Sequence, residues 1–191
     1  IVGSEQVILS DDAAIIRAAN VSVATPSISA LQDVTIVSDS IDFDNASVTV
    51  PGRLTINAPV ATSRGSFTVG DSFIANTLSM TGPISIASTK GLTLQALDHD
   101  PSGPYDLTLS TGTRAITISA QAKTSSFTVT DAGFVNIESV LAQSTVSITA
   151  SNTVTLGISD IVGHLGIVAP TIRQNASWRI GGNCDLFGAF Q

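Results

Sequence analysis

One short pattern constrains this chain more than any other: a triplet of apolar, polar and apolar residues, usually with Thr or Ser in the middle, that recurs along most of its length. It reads Val21-Ser22-Val23, Val34-Thr35-Ile36, Ile41-Asp42-Phe43, Val48-Thr49-Val50 and Leu54-Thr55-Ile56 in the first third. It returns as Phe67-Thr68-Val69, Leu78-Ser79-Met80, Ile84-Ser85-Ile86, Leu92-Thr93-Leu94 and Leu107-Thr108-Leu109. Ile116-Thr117-Ile118, Phe127-Thr128-Val129, Val135-Asn136-Ile137, Val146-Ser147-Ile148 and Val154-Thr155-Leu156 continue it. Period-two alternation rich in β-branched residues marks a strand with one buried face. Asn, Asp, Gly, Pro and Ser lie between the triplets and turn the chain. Only the stretch from Asp11 to Ala19 suggests a turn or two of helix, with Ser10 or Asp11 as its N-cap.

Spacing decides the architecture. Early triplets recur every six to eight residues, so three of them make a coil of about twenty residues, a period that belongs to solenoids. Two strands per coil fit the spacing as well. Later intervals of up to fifteen residues read as loops inserted at corners. A sandwich would need longer strands and Asn-Gly or Asp-Gly hairpins, and neither dipeptide occurs. The expected fold is therefore all-β, a right-handed parallel β-helix forming a single domain over residues 1–191. Nine or ten coils rising about 4.8 Å each would give a rod of about 45 Å. Outward Thr and Ser suit an exposed sheet, because their hydroxyls keep water.

Composition narrows the setting. Charged residues are only 12% of the chain, and Ser and Thr make up about a quarter of it. No apolar run approaches the roughly 18 to 20 residues of a spanning helix. A transmembrane barrel would need strands of about ten residues with aromatic girdles, whereas aromatics are 5% here. A net charge of −7 argues against a nucleic-acid partner. Cys184 is the single cysteine, so no internal disulfide forms. The chain opens at Ile1 without a signal-peptide pattern, as expected of a processed or excised product.

The run Gly103-Pro104-Tyr105-Asp106-Leu107-Thr108-Leu109-Ser110-Thr111-Gly112, followed by Ala115-Ile116-Thr117-Ile118-Ser119, resembles repeats of the filamentous haemagglutinin-type adhesins. So does Ser144-Thr145-Val146-Ser147-Ile148-Thr149-Ala150 leading into Asn152-Thr153-Val154-Thr155-Leu156. The resemblance covers Leu78 to Leu156 and lies in pattern and composition, with no diagnostic motif. It implies a large exported bacterial protein built from β-helical coils of similar length. The chain lacks the N-terminal secretion domain of that family.

Candidate sites are few. Asp98, His99 and Asp100, with Asp106 shortly after, sit on a Pro- and Gly-containing insertion from Leu97 to Tyr105. Carboxylates Asp98, Asp100 and Asp106 could hold a cation, calcium for preference, although a solvated corner loop accounts for the same residues. Asp39, Asp42 and Asp44 alternate, and Asp42 with Asp44 on one outer face resembles the acidic pair of β-helix polysaccharide-degrading enzymes. Only Arg53 and Arg64 lie near enough to hold an acidic sugar. His99 and His164 are the only histidines, too few to give a Ser/His/Asp match any information. Neither a phosphate loop nor a dinucleotide fingerprint is present. Sequons at Asn20, Asn45 and Asn175 are compatible with glycosylation.

The ends complete the expectation. A parallel solenoid exposes strand edges that polymerise unless capped, so an N-terminal cap is expected within residues 1–20 and a cap or contact segment at 172–191. Residues 178–190 hold the only Trp and two of the seven Phe. Trp178, Arg179, Phe187 and Phe190 are the interface candidates. The sequence thus points to a secreted or cell-surface structural or adhesive solenoid, without enzymatic activity or cofactor. Its expected partners are copies of itself, meeting end to end, or cell-surface glycans. A carbohydrate-active β-helix enzyme or tail-spike-like protein is the alternative, and an ice- or surface-binding module the third.

Overall fold

A computed structural model describes residues 7–9, 14–23, 27–30, 32–99 and 103–191. The described residues form sixteen strands joined in one sheet system, with every pairing parallel and no helix. The chain winds as a parallel β-solenoid of about nine turns of roughly nineteen residues. Parallel pairing between residues one turn apart sorts the strands into three faces, which settles three strands per turn. Face A stacks residues 34–36, 54–56, 73–75, 92–94, 116–118, 135–137 and 154–156. Face B stacks 41–43, 61–63, 78–80, 97–99, 122–124, 140–142 and 159–161, and ends in 178–180. Face C stacks 65–67, 84–86, 107–109, 127–129, 146–148 and 165–167, and ends in 184–186.

The triplets form these strands because each puts two apolar side chains inward and one polar side chain outward. Strand Val34–Val50 alternates buried and accessible residues along most of its length while turning two corners without leaving the ladder. Inward columns such as Val34, Leu54, Phe73, Leu92, Ile116, Val135 and Val154 are buried throughout. Phe43, Phe67 and Phe73, from three consecutive turns, pack edge to face with centroids 5.2 and 5.5 Å apart. Each such pair adds about 0.5–1.5 kcal/mol beyond its buried area. Corners turn the chain from one face to the next with few residues, and one needs a left-handed backbone: Asn45 (φ 55°) lies one turn before Gly65 (φ 119°). A Cβ at Gly65 would run into the Ala46 carbonyl.

Two expectations change. Residues 14–19 belong to strand Ala14–Val23, not to a helix, because residues 14–18 pair one by one with 34–38 of the next turn and Asn20 pairs with Ser40. The N-cap candidates Ser10 and Asp11 lie outside the described residues. The long intervals between later triplets are also not mainly loops. Face B continues under them, with inward residues too small or too polar to make the triplet: Ala122, Thr124, Ala142 and Ser159 are all buried. An interior with the close packing of a crystal needs small side chains on one side when Phe, Leu and Ile fill the other two. The turns themselves stay regular. Face A positions 34, 54, 73, 92, 116, 135 and 154 are spaced 20, 19, 19, 24, 19 and 19 residues, so a single insertion interrupts them.

Among the described residues three hydroxyls enter the core without a hydrogen-bond partner: Ser38, Ser63 and Thr124. An unpaired buried hydroxyl costs about 1–3 kcal/mol. Thr124→Val keeps the shape and removes that cost, so it should raise the denaturation midpoint by about 1 kcal/mol of stability. Phe67→Ala should instead cost about 3–5 kcal/mol, through lost burial and the cavity left between Phe43 and Phe73. Urea unfolding of both variants against the parent chain checks the pair.

Candidate functional site

The insertion gathers the acidic candidates but spreads their roles. Asp98 lies in strand Gly91–His99 and accepts a hydrogen bond from the His99 backbone amide at 2.9 Å. The Lys123 ammonium, one turn on, reaches it at 3.1 Å. Partial burial pushes the Asp98 carboxyl upward, but the His99 amide and Lys123 outweigh it and hold the carboxyl below its ordinary value. Asp106 accepts from the Ser126 amide at 3.1 Å, a brace between turns. Asp100 falls outside the described residues. Among the described residues no group of three His, Cys, Asp or Glu stands close enough to hold a metal ion. His164 is likewise occupied, its Nδ1 accepting from the Asn183 amide at 2.9 Å.

Among the described residues Asp98 makes one of four acid–base braces between turns. Asp44 pairs with Arg64, Asp71 with Lys90 at 2.6 Å and Asp160 with Arg179 at 3.6 Å. In each the acid precedes its base by one turn, so the pair ties adjacent turns on the surface. Asp44 is therefore committed to Arg64. Asp42 instead joins Asp39, Asn20, Ser40 and Pro59 around an open groove of about 450 Å³, where the Ser40 hydroxyl donates to the Asn20 side-chain oxygen at 2.6 Å. The side chain of Arg53 lines no part of this groove. On face C the outward column runs Ser47, Ser66, Ser85, Thr108, Thr128 and Ser147 before ending in Gly166 and Asp185. That column is a continuous hydroxyl row of mixed Ser and Thr.

Residues 172–191 form the last turn of the solenoid. Ile172 pairs with Phe190, Ile167 with Leu186, Leu165 with Cys184 and Ile161 with Ile180, which places Ile180, Cys184, Leu186 and Phe190 on inward columns. The outer edges of strands Trp178–Ile180 and Cys184–Phe190 have no strand partner among the described residues. Phe190 is 52% exposed and Phe187, on the outward side, 65%. Trp178 is anchored: its indole N–H donates to the Gly157 carbonyl at 3.0 Å and its ring meets Phe190 at 5.8 Å. Arg179 points outward to Asp160. Burial, then the neighbouring Asp185, pushes the Cys184 thiol above its ordinary value.

A second groove, of about 510 Å³, lies at the corner between faces A and B in the last four turns. Corner length creates it. The chain needs two residues (Ser119 and Ala120) between paired positions 118 and 121, but only Glu138 between 137 and 139 and only Gly157 between 156 and 158. The last turn spends three, residues 175–177, between 174 and 178, where the turn before it spends two, Gly157 and Ile158, between the partners 156 and 159. Two tight corners are thus flanked by two wider ones. The tight corner requires Gly157, where a Cβ would collide with the Glu138 carbonyl. Thr117, Ser119, Asn136, Glu138, Ile158 and Asn175 supply the lining chemistry. Ile158 is 60% exposed, and Glu138 has no ion-pair partner among the described residues. Triplet reading missed this groove, because its signal is the count of residues between strands. The Asn in Val135-Asn136-Ile137 was the one visible trace.

Comparison with family models, with curated proteins and with solved structures finds no match for this chain. Its chemistry rests on its own geometry.

The Asp98 brace has a testable consequence. Lys123→Met should move the Asp98 titration upward toward the ordinary carboxylate range, read by carboxyl-carbon NMR. A depressed folded-state pKa stabilises fully above the ordinary range and is lost as pH falls through the lowered value. The variant should therefore lose stability relative to the parent near neutral pH, and the difference should vanish in acid.

Proposed function

We propose that this chain is an extracellular structural solenoid: a rigid rod that acts by its length and by end-on association, as a segment of an adhesin or a subunit of a filament. The observation that carries the reading is the parallel ladder of about nine turns, whose inward apolar columns run on into Ile180, Leu186 and Phe190, a surface that a further turn of the same kind, from this chain or another copy, would continue. An unpaired parallel edge is a template for another strand, and an apolar column under it offers the same burial that joins each turn to the next. The resemblance to filamentous haemagglutinin-type repeats supports the adhesive variant. The sides support a scaffold, since their acids and bases tie turns together.

Sedimentation velocity over a wide concentration range tests this reading. The chain should form larger species as concentration rises. Phe190→Asp, which sets a charge on the exposed end, should keep it monomeric, while the lost ring contact with Trp178 lowers its stability by no more than about 0.5–1.5 kcal/mol. Alkylation of Cys184, the only cysteine and exposed on that end, should slow on association. A parent chain that stays monomeric at every concentration, with unchanged Cys184 reactivity, overturns end-on association.

A further inference from the structure

We propose that the groove at the corner of faces A and B binds a short neutral glycan lying along the solenoid axis. The inference goes beyond the rod, since it gives the side of the molecule a ligand. It holds whether or not the ends associate.

The lining chooses the chemistry. Asn136 and Asn175 each donate and accept, and the Thr117 and Ser119 hydroxyls do the same. Glu138 adds a carboxylate that accepts two hydrogen bonds, the match for adjacent sugar hydroxyls. Ile158, exposed beside them, offers an apolar surface for the C–H face of a pyranose ring. No Lys or Arg lines the groove, so nothing there favours phosphate, sulfate or uronate, and Glu138 repels them. An extended peptide would seek a free strand edge or an aromatic pocket, and the lining provides neither. A dense set of two-way hydrogen-bonding groups around one apolar patch fits a polyol.

Dimensions agree. The groove lies within the 300–1,000 Å³ typical of small-ligand sites, at about 510 Å³. Its lining spans four successive turns, so it runs about 14 Å along the axis at about 4.8 Å per turn, enough for a di- or trisaccharide. Its walls are fixed before any ligand arrives. The Trp178 indole holds the Gly157 carbonyl at 3.0 Å, and the Asn175 amide holds the Leu156 carbonyl at 3.0 Å. A preformed site loses little order on binding.

The test is an amide NMR titration of the full chain with neutral glucose, galactose and N-acetylglucosamine oligomers, beside a uronate oligomer of equal length. At least one neutral oligomer should shift amides at 117–119, 136–138, 157–158 and 175–176 and leave face C unmoved. Its dissociation constant should fall near the millimolar range, as expected of a shallow open site. Glu138→Ala and Asn175→Ala should each weaken binding about tenfold with no change in thermal midpoint, since both side chains are exposed. The proposal fails if no neutral oligomer shifts these amides, if the uronate binds better, or if Glu138→Ala binds as well as the parent. None of these results would alter the sedimentation outcome that tests the rod.

Discussion

Everything in this molecule depends on the parallel backbone ladder between turns. A residue's partner is the residue one turn later, so turn length is not free: one residue more or less would move an inward side chain outward for the rest of the turn. Face A holds spacings of 19 or 20 through most of its length. Excess residues can be absorbed only where the ladder is already interrupted, at a corner. The register shifts between Phe43 and Ala46 and between Ile137 and Ser139 are such places. Strands are thus the conserved geometry of the fold, and corners carry its freedom.

That division explains what could be read from the sequence. Faces A and C were legible because both put Val, Ile, Leu or Phe at two inward positions in most of their strands (Phe73-Ile74-Ala75 is an exception), which makes the triplet. Face B was legible only in the early turns, at Val21-Ser22-Val23, Ile41-Asp42-Phe43 and Leu78-Ser79-Met80. Afterwards it packs with Ala122, Thr124, Ala142 and Ser159, and hydropathy alone cannot tell such a strand from a loop. Position in the ladder makes it a strand, and position is a three-dimensional property. The strand at residues 14–19 was obscured in the same way: Ala14, Ala18 and Ala19 favour helix locally, and pairing with the following turn overrides that preference.

The candidate sites divide along the same line. Asp98 and Asp106 stood out as a cluster in sequence, but each answers to the neighbouring turn: Asp98 to Lys123, Asp106 to the Ser126 amide. Closeness in sequence at a corner is weak grounds for a shared ligand, because a solenoid pairs residues roughly nineteen apart. Glu138 and Asn175 are 37 positions apart and share a groove. Finding them from sequence would have required aligning the turns first and then counting corner residues.

The surface follows from the core. Outward positions of a parallel ladder repeat about every 4.8 Å, so like charges stacked in a column would repel along its whole length. Two solutions keep the columns apart from that cost: neutral hydroxyls, as from Ser47 to Ser147 on face C, and alternation of acid and base, as from Asp160 to Arg179 on face B. Specific recognition then has to come from shape at a corner or from an open end, and an uncompensated charge on the side becomes informative. Glu138 is such a charge, placed where two tight corners open a recess across the last four turns. A carboxylate kept there without a cation costs the ladder nothing, because it stands at a corner outside the strand register. It is free to serve a ligand.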